Sequence, residues 1–159
     1  MCSARLDSLR KAFWSLFCKR AHAYMNFWQK LSKPFFVLAP MADVTDPAFR
    51  RIVAEASRHG QPDGGPDVFW TEFVSADGLA HPIAREKLMR DLEYTEAERP
   101  IVAQLFSSNP DNMRAAVRLC AELGFDGIDI NMGCPDKTIE KQGAGAAMMK
   151  TPDVAVDVI

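Results

Sequence analysis

The sequence predicts an α/β fold. We expect a parallel sheet covered by helices, forming about the first four units of a (β/α)8 TIM barrel behind an N-terminal amphipathic helix. Three observations predict it. Strand-like and helix-like patterns alternate four times between residues 34 and 159. The strand-like runs are continuously apolar instead of alternating, as strands buried on both faces are. The residues with chemistry to offer gather where those runs end: Met41 and Asp43, Glu72, Gln104, then Asn131 and Cys134. In a barrel of this kind that face holds the active site.

Each element follows from its residues. Residues 4–31 place Leu6, Leu9, Phe13, Leu16, Phe17, Met25, Phe27 and Trp28 at helical spacing with bases between them. Phe35 to Ala39 reads as a buried strand, ended by Pro40. Thr45 or Asp46 before Pro47 is a helix start, a cap followed by proline in the first turn. That helix runs through Phe49, Ile52, Val53 and Ala56, and Gly60 to Pro66 is a loop by composition. Val68 to Thr71 is the second strand, leading to Glu72 and a loop, with a short helix over 83–91. Ile101 to Phe106 is the third strand. Asn109-Pro110 opens a helix whose apolar face is Met113, Ala116, Val117, Cys120 and Leu123, closed by Gly124. Gly127 to Asn131 is the fourth strand. A small-residue helix is expected from Gly143 to Lys150, and Pro152 starts another.

Bulk properties divide the chain in two. Residues 1–33 hold seven basic residues and one acid, a net charge of +6, whereas residues 34–159 hold twelve bases and twenty acids, a net of -8. We therefore expect a basic amphipathic extension over 1–33 and a partial barrel domain over 34–159. The extension suits a surface helix, an arm near RNA or an Arg-rich presequence. The four cysteines, Cys2, Cys18, Cys120 and Cys134, show no zinc-ligand spacing, so no metal site is expected. No apolar run approaches the ~20 residues that span a bilayer. A reducing, cytoplasmic protein with free thiols is expected. A closed barrel typically needs about 250 residues, and the pattern stops inside a helix at Ile159, so a truncated chain is expected.

Asn131-Met132-Gly133-Cys134-Pro135 is the most informative segment. It follows a buried strand directly, Gly133 allows a tight backbone path, and Pro135 prevents the strand continuing. A thiol held there serves either as a small buried hydrophobe or as a proton donor, since a thiol of ordinary pKa, ~8.5, is mostly protonated at neutral pH. The carboxamides of Gln104 and Asn131 each offer a donor and an acceptor, which suits the imide edge of a flavin or a pyrimidine, or a neighbouring backbone. Glu72 reads equally as a ligand contact, an orienting residue or a solvated loop residue. Gly143-Ala144-Gly145-Ala146-Ala147 matches no phosphate-loop pattern, and close packing suits it better than anion binding.

These residues also resemble a known family. Leu38-Ala39-Pro40-Met41-Ala42-Asp43-Val44-Thr45-Asp46 looks like the opening signature of the tRNA-dihydrouridine synthases. Thr71 to Ala76 resembles their second-strand motif, and Pro100 to Phe106 their Pro-x-x-x-Gln-Leu-Phe segment. Asp126 to Pro135 resembles their catalytic motif, and Lys141 to Gly145 the segment after it. Five motifs stand in the family's order over residues 34–159.

The resemblance implies an FMN-binding TIM barrel followed by a helical tRNA-binding domain that lies outside this chain, as do the family's flavin-contacting lysine and histidine and its phosphate loops. It implies that Pro40, Met41 and Ala42 lie along the flavin and that Gln104 bonds its pyrimidine part. Asn131 and Glu72 are the substrate-side expectations. Cys134 is implied as the general acid, giving a proton to uracil C5 while FMN reduced by NADPH gives hydride to C6. The implied partner is tRNA, with the target uridine turned out of its stack. Asp43 and Ser107 depart from the family, which usually has glycine at both places. Two other readings fit less of the sequence: a dihydroorotate- or dihydropyrimidine-dehydrogenase-like flavoenzyme acting on free pyrimidines, and an inactive truncated fragment.

Overall fold

The computed structural model of the chain describes residues 26–159. Residues 26–33 and residues 34–159 belong to separate compact units. In the first, the Asn26 side chain accepts from the Trp28 N–H and starts a single 3-10 turn, Phe27–Gln29. Over 26–31 this turn and a bend replace the expected helix, and residues 4–25 of that helix, with most of the basic arm, lie outside the described residues.

The second unit is a four-stranded parallel sheet in the order β1-β2-β3-β4: Val37–Leu38, Val68–Ser75, Ile101–Phe106 and Gly127–Ile130. Helices fill every crossover. They are α1 (Pro47–Ala56), α2 (Ala76–Ala80), α3 (Pro82–Leu88), α4 (Pro110–Glu122), α5 (Lys137–Glu140) and α6 (Pro152–Val158). Sequential parallel strands joined by helices are four successive units of a (β/α)8 barrel, as the sequence predicts.

Local chemistry sets the boundaries. Asp46 caps α1 by accepting from the Phe49 N–H at 2.7 Å, and Pro47 fills the first turn. Asn109 caps α4 through the N–H groups of Asp111 and Asn112, and Gly124, at φ 86°, lets the chain leave that helix. β1 is two residues long, not the five expected, since only Val37 and Leu38 pair with β2. Phe36 instead donates to the Asp67 carboxylate and accepts from the Asp67 N–H, both at 2.7 Å.

The largest correction concerns β2, which does not end at Thr71 but continues to Ser75. Its pairing with β3 slips between Trp70 and Phe73: three steps on β2 match the two from Val102 to Gln104. This is a one-residue bulge. The Thr71 hydroxyl satisfies the loosened ladder there, accepting from the Gln104 N–H at 3.1 Å and donating to the Glu72 carbonyl at 2.8 Å. Gly143 to Lys150 is not an α-helix either. Gly143 and Gly145 have φ of 75° and 59°, which an α-helix does not admit, and a 3-10 turn over Gly145–Lys150 follows.

Two faces result. Toward the helices, Val74, Ala103 and Leu105 pack with Leu79, Met113, Ala116 and Cys120, while Phe69 and Ile101 pack with Ala54. The opposite face, which becomes the interior of a barrel, carries Trp70, Gln104, Asp129 and Asn131 in one hydrogen-bonded group. Near the strand ends Phe106, Ile139 and Ala144 cluster with Phe73 and Cys134.

Candidate active site

The site is built at the C-terminal ends of β3 and β4. Asp129 and Asn131 alternate with Ile128 and Ile130, so the polar pair shares the inner face while the isoleucines join the helix-side core. Gln104 reaches the same face from β3. Its Nε2 donates to Asp129 Oδ2 at 2.6 Å, and its Oε1 accepts from Asn131 Nδ2 at 3.1 Å. Trp70 Nε1 donates to the same Asp129 oxygen at 3.2 Å.

Asn131 then turns the chain. Its Oδ1 accepts from the N–H groups of Gly133 at 3.2 Å and Cys134 at 2.9 Å, an Asx turn that folds the loop back over the strand end. Asp136 caps α5 just beyond, accepting from Thr138 and Ile139, and those bonds hold its carboxyl below the usual range. Cys134 is thus fixed from both sides, half-buried against Phe106 and Ile139. Cys120 is a contrast. It is fully buried on the helix side, and burial pushes its thiol up to about 11, so it stays protonated and packed.

Pro40, Met41 and Ala42 form the loop at the end of β1. Met41 accepts backbone bonds from Val44 and Thr45 and donates its own N–H to the Thr45 hydroxyl at 2.9 Å. Buried Thr45 is gripped in turn by Arg50, whose Nη1 donates to its carbonyl at 2.8 Å. The loop is rigid at its base while the Met41 side chain is exposed. No hydrogen bond among the described residues ties this loop to the Gln104–Asn131 group.

Glu72 also stands apart from that group. It sits in the β2 bulge, and its Oε1 is buried without a hydrogen-bond partner among the described residues. Desolvation pushes its carboxyl above the usual range, the carboxylates of Asp91, Asp43 and Asp46 add to this, and a hydrogen bond from the Asp43 backbone opposes it. The two departures from the family pattern are visible here. Asp43 occupies the left-handed region at φ 60°, where glycine is at ease. Ser107 is buried, donating to the Asp77 carboxylate at 3.0 Å and accepting from the Asn109 N–H at 2.8 Å.

The sequence reading did not single out Asp129 or Trp70, and it gave Gly145 only as part of a close-packed segment. Asp129 could have been found from the alternation of Ile128 and Ile130 with polar residues. Gly145 lies where an added Cβ would come within 2.6 Å of the Cys134 carbonyl, and Ala146 donates its N–H to that carbonyl at 2.9 Å. The glycine-rich segment is therefore a brace for the cysteine loop, in keeping with close packing. No group of three or more His, Cys, Asp and Glu side chains among the described residues can hold a metal ion, and no described helix is long and apolar enough to cross a membrane.

A turn that carries cysteine on a barrel strand end, braced by a Gly-Ala-Gly segment, is matched by a family in sequence. Residues 37–159 match the model for dihydrouridine synthase (Dus). The chain belongs to the dihydrouridine synthase family. It is 46% identical over 134 residues to a probable tRNA-dihydrouridine synthase 2 of Bacillus subtilis (strain 168), an alignment covering 84% of this chain and 39% of that protein. It is 42% identical over 134 residues to a probable tRNA-dihydrouridine synthase of Staphylococcus aureus (strain COL), and 40% identical to one of Staphylococcus epidermidis (strain ATCC 12228 / FDA PCI 1200), with the same coverage. The chain spans 39% of the length of these curated relatives.

Proposed function

We propose that this chain forms the half of a tRNA-dihydrouridine synthase barrel that carries the catalytic acid, Cys134, and part of an FMN site. The single observation that supports this best is the Asn131 turn, which holds Cys134 at the end of β4 beside the paired carboxamides of Gln104 and Asn131.

The donor set suits FMN and a uracil ring. Gln104 uses one N–H on Asp129 and accepts one bond from Asn131, which leaves one N–H and one lone pair for the imide edge of a flavin. Asn131 likewise keeps one N–H for a uracil carbonyl. Pro40, Met41 and Ala42 offer a flat, weakly polar loop for the ring system to lie along, and Glu72 is the substrate-side carboxyl above the bulge. When bound by Gln104 and the Pro40–Ala42 loop, FMN reduced by NADPH would supply the hydride for C6 of the uridine. Cys134 gives its thiol proton to C5 on the way to dihydrouridine. Asn131 holds the uracil edge and the Cys134 backbone together, so that acid and ring are positioned by one side chain. The uridine leaves its stack to reach the barrel mouth. With tRNA as substrate, the place of action is the cytoplasm.

The test is a visible absorption spectrum of the purified protein followed by assays on unmodified tRNA and on free uracil derivatives with NADPH. Flavin absorbance with dihydrouridine formed in tRNA alone is expected. Reduction of free pyrimidines instead would replace the tRNA reading with that of a small-molecule flavoenzyme.

A further inference from the structure

We propose that Asp129 is a positioning residue, which sets the polarity of a hydrogen-bonded relay running through Gln104 and Asn131 to the Cys134 backbone. An ionised carboxylate only accepts. Whatever faces Asp129 Oδ2 must therefore be N–H, and two groups meet it there: Trp70 Nε1 at 3.2 Å and Gln104 Nε2 at 2.6 Å. With its nitrogen committed, Gln104 turns its oxygen to Asn131, which must answer with Nδ2, at 3.1 Å. Asn131 then has only its oxygen left for the cysteine loop. That loop presents two backbone N–H groups, Gly133 at 3.2 Å and Cys134 at 2.9 Å, which only donate.

The relay is thus pinned by an acceptor-only group at one end and donor-only groups at the other. Both carboxamides between them are forced into one of their two orientations. A carboxamide free to flip presents donor and acceptor alternately, so it cannot discriminate among ligand edges. Asp129 removes that ambiguity without touching a ligand itself. It also spans three strands, taking one bond from β2 and one from β3 while sitting on β4. Trp70 reaches Asp129 from the regular stretch of β2 that precedes the bulge, where it pairs with Val102.

This inference rests on the proposed function for its purpose, but the relay can be tested without flavin or tRNA. The test is amide hydrogen exchange of the full chain, resolved to residues 131–135, in Asp129→Ala and Asp129→Asn variants. Asp129→Ala removes the acceptor, and exchange at Gly133 and Cys134 should accelerate about fivefold, the effect of one net hydrogen bond, while α4 keeps its protection. Asp129→Asn can keep an oxygen in the Oδ2 position, and exchange should stay within about twofold of the parent. Should the alanine variant fail to fold, Asp129→Leu, of similar volume, serves in its place. Unchanged exchange at Gly133 and Cys134, equal acceleration across the sheet, or asparagine as damaging as alanine would each overturn the relay. In the flavin-loaded enzyme the alanine variant should lose about tenfold in kcat on tRNA with little change in KM, because orientation and not uniform binding is lost. Intact exchange behaviour in a protein that neither binds flavin nor reduces uridine would leave the relay standing and remove the proposed function.

Discussion

Gly145 stands so close to Cys134 that a single added carbon would come within 2.6 Å of the Cys134 carbonyl oxygen. It also holds φ 59°, which disfavours any side chain. Gly145→Ala should therefore push the cysteine loop off the strand end. A loss of about 1–3 kcal/mol in stability is expected from the strained φ and the contact together. Urea unfolding measures it, and uridine reduction should fall further than flavin reduction does.

The proposed role of Cys134 as proton donor predicts a split between half-reactions. In the flavin-loaded enzyme, Cys134→Ala should leave flavin reduction by NADPH intact, while uridine reduction drops by about 10²–10⁴-fold, the range for losing a general acid. Stopped-flow spectra of the two half-reactions separate these outcomes. Equal loss of both steps would count against proton donation.

The Arg50–Glu98 pair predicts a stability cycle. Both side chains are fully buried, with Nε to Oε2 at 2.8 Å, and Arg50 also holds the Thr45 and Glu93 carbonyls. Glu98 accepts from the Thr95 N–H as well, at 2.7 Å. Removing one partner leaves the other charge unpaired, at a cost of about 3–5 kcal/mol. Glu98→Leu alone should destabilise by that much, and Arg50→Met with Glu98→Leu should recover part of it. Because Arg50 grips Thr45, the Arg50 variant should also weaken flavin retention, which Glu98→Gln should disturb less.

Asp43 and Glu72 predict a pH dependence. Glu72 is raised by burial first and by Asp91, Asp43 and Asp46 next. A carboxyl raised on folding favours the folded state while it is protonated. That contribution is full below the unfolded pKa, and it is lost as pH rises through the higher folded value. Stability measured by thermal unfolding should therefore decline across that window, and Glu72→Gln should abolish this part of the decline. Asp43→Gly removes one of the raising charges and relieves the left-handed φ of 60°, so it should narrow the window and stabilise by roughly 1 kcal/mol.

Much of the frame was legible because its signals are local. Asp46-Pro47 and Asn109-Pro110 announce their helices within two residues, and the apolar runs of β3 and β4 need no partner to be read. Asn131 and Cys134 were legible from the end of β4, whereas Gln104, expected at a strand end, lies two residues inside β3 and joins Asn131 through its side chain. What escaped depends on partners distant in sequence. Arg50 finds Glu98 across 48 residues, and Trp70 finds Asp129 across 59. The second half of β2 escaped because its bulge breaks the period that identifies a strand. The 3-10 turn at 145–150 escaped because small residues also suit a helix, and only their packing on Cys134 decides otherwise.

The bulge in β2 also sets which kinds of sequence change this strand can absorb. Upstream of Thr71 the inward position is Trp70, and downstream it is Phe73, so the inward count restarts within one strand. Substitutions that respect size on either side leave that count alone. Loss or gain of one codon between 70 and 73 does not. Loss of one residue there would iron out the bulge and leave Phe73 opposite Gln104, at the cost of the Thr71 hydroxyl that satisfies the loosened ladder or of the Glu72 carboxyl. The segment should therefore absorb the loss of a residue without turning Phe73 and Val74 over, whereas a second extra residue would lengthen the unpaired stretch.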